Sequence, residues 1–262
     1  MENLRRAGGF TLVELTLALF VGGLLMSSVY LMAISGQKSA AGIERKVAAQ
    51  QDVRAALDIM ALEIGMASYN PFCALPGQIW VNPSTCTGLS ANPQYKGIQA
   101  AGPMGITVEM DIASTGANPN QEDGLISAPN EIIAYAYNDA SQTITRSASV
   151  KLGDCGTAQS FLGGGTNAAA GTKTVNLVNN DSTVGIKNGN DVYAIFRYYD
   201  STGTGKELFP DTTQNLNLTD IPNIRRIDIA LAVQTEFKDP STRAYRQMIY
   251  STSVFVRNHA IN

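Results

Sequence analysis

Charge is scarce in this sequence: 16% of its 262 residues are Asp, Glu, Lys or Arg, and between Arg6 and Lys38 the only charged side chain is Glu14. A net charge of −3 and a pI near 5.2 supply no basic field for a phosphate backbone, which excludes nucleic acid as a direct partner. The one histidine, His259, lies at the fourth position from the end, in what reads as a frayed terminus, so a serine–histidine triad has no credible base. Three cysteines without a Cys-x-x-Cys pair remove the usual zinc and redox patterns. Gly163-Gly164-Gly165 lacks the lysine and hydroxyl residue that follow a phosphate loop, and no Gly-x-Ser-x-Gly elbow occurs. No cofactor and no metal is expected, and the chain reads as a substrate of enzymes rather than an enzyme.

Proline is also absent before Pro71, so nothing in the first quarter of the chain forces a helix to break. Residues 10–34 form an apolar stretch of the length that about 20 apolar residues need to span a bilayer. This is too long for the core of an ordinary secretory signal, although Ala33-Ile34-Ser35 could pass for its cleavage site. A charge at the start of such a helix costs roughly 2.5 to 3.5 kcal/mol on insertion scales, so Glu14 calls for a partner, which suggests a helix built to meet another of its kind. Helical periodicity continues beyond the membrane edge. Val53, Leu57, Met60, Ile64 and Ala67 form a stripe, with Asp52, Arg54, Asp58 and Glu63 off it, and the stripe is expected to pack on the chain's own sheet. One helix from about Thr11 to Ala67 would be roughly 85 Å long, more than one domain can cover. Gly22, Gly23, Gly36 and Gly42 are candidate points of bending or local melting, each costing about 1 kcal/mol relative to alanine if exposed.

The string Gly8-Gly9-Phe10-Thr11-Leu12-Val13-Glu14 resembles the leader junction of type IV prepilins and of type II secretion pseudopilins. The resemblance implies cleavage by a prepilin peptidase between Gly9 and Phe10, N-methylation of Phe10, and a subunit-assembly role for Glu14, at the fifth mature position, paired with the amine of a neighbouring subunit. Such a pair sets register more than stability, because desolvation consumes much of its Coulomb gain. The helix end from Arg54 to Tyr69, followed by Cys73, is similar to PilW-type minor pilins, with Gly65 in place of a basic residue and Ser68 in place of a glycine. The run Ile132 to Arg146 with its Ile-Thr-Arg close, and the Val254-Phe255-Val256-Arg257-Asn258 ending, resemble the same group. The ending also resembles J-type minor pseudopilins.

That resemblance implies a minor type IV pilin in the complex that primes pilus assembly, with the tip as a candidate location. The implied partners are other minor pilins, the major pilin, the peptidase and an inner-membrane assembly platform, with a large tip adhesin as a further candidate. The implied location is the inner membrane as a single-pass precursor with a periplasmic C-terminal domain, then the pilus fibre or cell surface. Two alternatives stay open: a minor pseudopilin of type II secretion, and a membrane-anchored periplasmic binding domain that never polymerises.

The expected organisation is a leader at 1–9, a transmembrane and assembly half-helix at 10–34, an amphipathic half at 35–68 and a globular β domain at 69–262. The fold class is α+β, a long helix on a mostly antiparallel sheet. Residues 69–103, with five prolines, read as irregular loop. Ile106 to Ile112 alternates as a half-buried strand, with Thr107, Glu109 and Asp111 on the wet face. Glu131 to Tyr137 and Gln142 to Ser147 read as a hairpin, Val192 to Tyr199 as a strand, and Ile224 to Phe237 with Arg246 to Arg257 as a C-terminal hairpin. Asp111 to Asn130 and Gly153 to Lys173 look like mobile insertions. Asn120, Glu122 and Asp123 near Gly124 make calcium conceivable, but the spacing is not that of an EF-hand and a solvated acidic turn is the better reading. Cys73 and Cys86 flank a loop around Trp80; a bridge there, worth roughly 3 kcal/mol in the chain-entropy model, is the preferred pairing. It leaves Cys155 free or exchanged for one of the other two, and three reduced thiols would not suit an oxidising compartment.

Overall fold

The computed structural model describes residues 9–80, 93–114, 122–149, 158–164, 174–179, 194–201, 207–208, 216, 219–240 and 242–261. Helix α1 runs unbroken for 54 residues from Leu12 to Gly65, about 81 Å at 1.5 Å per residue. The four glycines expected to bend it are accommodated without interruption, since the helix hydrogen bonds tolerate glycine at a modest cost in propensity. Its C-terminal half buries Ala49, Val53, Ala56, Leu57, Met60 and Ile64. This is the stripe that the spacing predicts, and it packs on strands of the chain's own domain.

Ten strands follow. In the first sheet β1 (Ile98–Gly102), β2 (Gly105–Glu109), β3 (Ile132–Asn138), β4 (Thr143–Ser149) and β5 (Gln159–Gly163) make a five-stranded antiparallel meander. The second contains β6 (Val175–Leu177), β7 (Phe196–Tyr199), β8 (Glu207–Leu208), β9 (Arg226–Thr235) and β10 (Gln247–Phe255), in the order β10-β9-β7-β8, with β6 also on β9. The single sheet expected from the sequence is therefore two. The β1–β2 turn is clasped by β7: Tyr198 Oη donates to Gly102 O at 2.8 Å and Gly105 O at 3.3 Å, and Ile195 and Phe196 N–H groups donate to Pro103 O. One continuous apolar core joins both sheets to α1.

Both hairpins form where turn residues and alternation place them, β3–β4 around residues 139–142 and β9–β10 across 236–246. Four readings need correction. The segment 69–103 is not all loop: it holds a short helix α2 (Pro76–Ile79) and the strand β1. Every residue of β1 is buried, so it shows no alternation to read. Thr107, Glu109 and Asp111 are not on a wet face but buried, because β2 is covered on both sides. The stretch 153–173 contains β5, and His259 belongs to a terminal helix α3 (Arg257–Ile261) and is fully buried.

The crossing of α1's end over the first sheet is tight at Gly97, where an added Cβ would stand 2.4 Å from Ser68 N and 2.6 Å from Glu109 O. Gly97→Ala is expected to lower stability by about 3 kcal/mol through backbone overpacking, while Gly77→Ala, with nothing within 4 Å of the new atom, should be near neutral. Denaturant midpoints of the two variants check this.

Candidate assembly helix and its anchorage

The N-terminal turn of α1 is closed by a reciprocal cap. Glu14 N–H donates to Thr11 Oγ1 at 3.2 Å, and Thr11 N–H and Oγ1 both donate to Glu14 Oε2 at 2.9 Å. Thr-x-x-Glu ahead of an apolar run is the capping-box signature, legible in the sequence although the acid alone attracted the reading. The structure therefore places Glu14 at the mouth of its own helix, three residues from the N-cap Thr11, which Phe10, 90% exposed, directly precedes. From Phe10 to Met32 the large apolar side chains are exposed. None of the apolar window of α1 is buried in the protein, and among the described residues this one helix is long and apolar enough to cross a membrane.

The other half of the rod is tied to the sheets by polar contacts that flank its apolar stripe. Glu63 receives the fork of Arg146, with Nε at 3.0 Å and a terminal nitrogen at 2.6 Å, and also the hydroxyl of Tyr135. Tyr135 on β3 and Arg146 on β4 are register partners, so both side chains rise from one face of the sheet to meet the helix. Burial, reinforced by the hydrogen bond to Glu63, pushes the Tyr135 phenol far above its ordinary range, so it stays a donor. The hydrogen bond to Glu63 holds the Arg146 guanidinium more firmly charged. Farther up the helix, Asp52 accepts from Thr174 Oγ1 at 2.5 Å, and the Arg45 guanidinium lies 5.2 Å from the Phe237 ring centroid.

At the helix end, Ser68 takes a positive φ of 64° and turns its hydroxyl toward His259. Ser68 Oγ lies 2.7 Å from His259 Nδ1 and accepts from Gly97 N–H at 3.0 Å, while His259 Nε2 lies 2.8 Å from Ile221 O. Of the two neutral tautomers only Nε2–H satisfies all three contacts, with Nε2 donating and Nδ1 accepting. Burial, with Lys96 and Arg225 nearby, pulls its pKa down to about 4. This pin between α1, β1 and α3 was missed because a histidine near the chain end looked frayed.

The acidic residues around 109–131 do not converge as metal ligands. Asp111 accepts from Asp123 and Gly124 N–H, and Glu131 accepts from Ile112, Ala113, Ser127 and Ala128 N–H. Two buried carboxylates thus organise loop backbone that the sequence suggested was mobile. Burial raises the pKa of both and of Glu109. Among the described residues no group of three or more His, Cys, Asp or Glu could hold a metal, and Asn120 lies outside them. Cys73 is exposed; Cys86 and Cys155 lie outside the described residues.

Two outcomes follow from this anchorage. Glu63→Ala, which strands the guanidinium and phenol in a half-buried setting, should cost about 3 kcal/mol, read as a loss in denaturant midpoint. His259 has a folded pKa of about 4 against an ordinary value near 6.5, so the unfolded chain binds more protons between these limits. The stabilisation is complete above pH 6.5 and is lost as pH falls toward 4. The raised carboxylates slope the opposite way, so the informative quantity is the difference: His259→Asn should be less stable at pH 7 and lose less stability than the unmodified chain on acidification to pH 4.

The sequence matches the model of the prokaryotic N-terminal methylation motif over residues 4–30. No curated protein sequence matches it. Among solved structures it is similar to the type IV-like pilin TTHA1219 from Thermus thermophilus, with 11% identity and a TM-score of 0.40, over 80% of this chain and 97% of that one. The chain thus carries a prokaryotic N-terminal methylation motif at the head of an α+β, helix-on-sheet fold.

Proposed function

We propose that the protein is a minor type IV pilin, a structural subunit that helps to initiate pilus assembly from a priming or tip complex. The observation that carries this reading is the division of α1: a bare apolar half headed by Glu14, and a half fixed to the sheets. The precursor waits in the inner membrane with its C-terminal domain on the periplasmic side. The peptidase cuts between Gly9 and Phe10 and methylates Phe10, leaving a cationic amine one residue ahead of the Thr11–Glu14 cap. Assembly then exchanges partners: Glu14 leaves Thr11 for the amine of an adjacent pilin, where the surrounding apolar helices strengthen the attraction and fix the register. The assembly platform lifts the whole subunit because Glu63, Arg146 and the buried stripe couple the rod to the domain. A Cys73–Cys86 bridge would close the loop after α1, with Cys73 exposed and accessible to it.

The test is Glu14→Ala expressed with the partner subunits. Cleavage should continue at close to the normal rate, while co-purification with other minor pilins falls severely; undiminished co-purification overturns the assembly role.

A further inference from the structure

The end of the domain where α1 enters it carries a charge of its own sign. Residues 38–46 of the helix and 236–246 of the β9–β10 loop hold six Lys or Arg and three Asp or Glu, out of 19 and 22 in the whole chain, so a region of net +3 sits in a protein of net −3. The structure brings these two segments together. The loop rests on α1 at Gly42, where an added Cβ would stand 3.2 Å from Asp239 Oδ2. Arg45 reaches across it, donating to Lys238 O at 3.4 Å with its guanidinium 5.2 Å from the Phe237 ring centroid. Arg246 is engaged within the loop, its fork closing on the buried Asp239. Lys38, Arg45, Lys46, Lys238 and Arg243 are exposed, and among the described residues none of the five forms an ion pair. Phe237 and Tyr245, 56% and 44% exposed, stand among them, with the Lys238 ammonium 5.4 Å from the Tyr245 ring centroid.

We infer that this face is a lipid-docking surface, which holds the domain on the anionic headgroups of the leaflet from which α1 emerges until assembly lifts it away. The inference rests on the membrane-anchored precursor of the reading above. Its first support is distance. Residues 10–34 span about 37 Å as helix, more than the roughly 30 Å hydrocarbon core of a bilayer, so Ile34 already lies among the headgroups. From there to Gly42 is about 12 Å of helix, and long Lys and Arg side chains reach back along it. The five unpaired cations are thereby brought within about a Debye length, roughly 10 Å at 0.1 M salt, of the lipid charges. At that range each adds to the attraction of an anionic surface. Half-exposed aromatic rings suit the same level, where an apolar body meets a polar layer. The rest of the chain is acidic and is repelled by the same lipids, so the field orients the domain as well as attracting it. An acidic protein could meet α1 anywhere along its exposed length; only the bilayer is fixed at this distance from Ile34. Gly42 serves the surface by lacking a side chain, which lets the loop close on the rod and keeps Lys238 and Arg243 beside the helix exit.

The experiment places the full-length precursor in vesicles of phosphatidylcholine alone and of phosphatidylcholine with phosphatidylglycerol, two to one. A photo-cross-linking side chain stands at exposed Thr242, with a control at exposed Leu75 beyond the far end of α1, and the mass of each adduct identifies the neighbour. Phosphatidylglycerol adducts are expected at Thr242 and not at Leu75. They should fall about tenfold or more in molar salt, and equally in the triple variant Lys46→Gln, Lys238→Gln, Arg243→Gln, with its thermal midpoint in neutral vesicles unchanged. Salt acts on the unmodified fold, so its result stands whatever the variant does to stability. In the membranes of its own cells the same side chain should also capture lipid. Equal adducts from the two vesicle types, no lipid adduct at Thr242, or capture of a protein there instead of lipid overturns the docking surface alone when the chain resists alkaline extraction. A chain that alkali extracts from the bilayer overturns the anchored reading and this inference with it.

Discussion

The whole architecture depends on a mismatch of lengths: the 54-residue α1 is about 81 Å long, and the domain that follows can bury only part of it. Apolar surface left in water is unfavourable by about 25 cal/mol per Å², so the exposed stretch from Phe10 to Met32 requires a bilayer or other helices. The buried stretch from Ala49 to Ile64 must resist whatever force moves the bare half. These two requirements explain why one half is nearly free of charge and the other carries Asp52 and Glu63 beside its apolar stripe.

The second half is held by more than apolar packing. The Glu63, Arg146 and Tyr135 contacts fix the rotation of the helix over the first sheet, and Arg45 with Phe237 holds its upper part to the β9–β10 loop. The His259–Ser68 contact fastens the helix end to the last element of the chain. Beginning and end of the domain are thereby joined at one buried point, and the neutrality of His259 makes that point sensitive to acid. At the opposite terminus Glu14 already has a partner in Thr11. On the proposed assembly role, this acid would exchange one set of hydrogen bonds for another, and the Thr11 contacts would lower the cost of its charge before that exchange.

Much of this was legible in the sequence, and the failures share a cause. The Val53 stripe could be read because it buries one face and shows its period, and the hairpins because turn residues separate two β-rich runs. Strand β1 and the polar residues of β2 could not, because the second sheet face is covered by chain distant in sequence and period-2 alternation no longer marks burial. Glu63 and Arg146 were both singled out, but a contact between residues 83 positions apart leaves no local signal. His259 was misjudged because position in the chain says nothing about burial when a terminal helix docks. The Thr11–Glu14 cap is the opposite case, a local signal present in the sequence but overshadowed by the charge of the acid itself.

The central claim, that the bare half of α1 is a processed assembly element, is tested most directly by the mass of the mature N-terminal peptide isolated from cells. The account predicts a chain beginning at Phe10 with one added methyl group on its amine. A chain that retains residues 1–9, or that begins beyond Ser35, would contradict it.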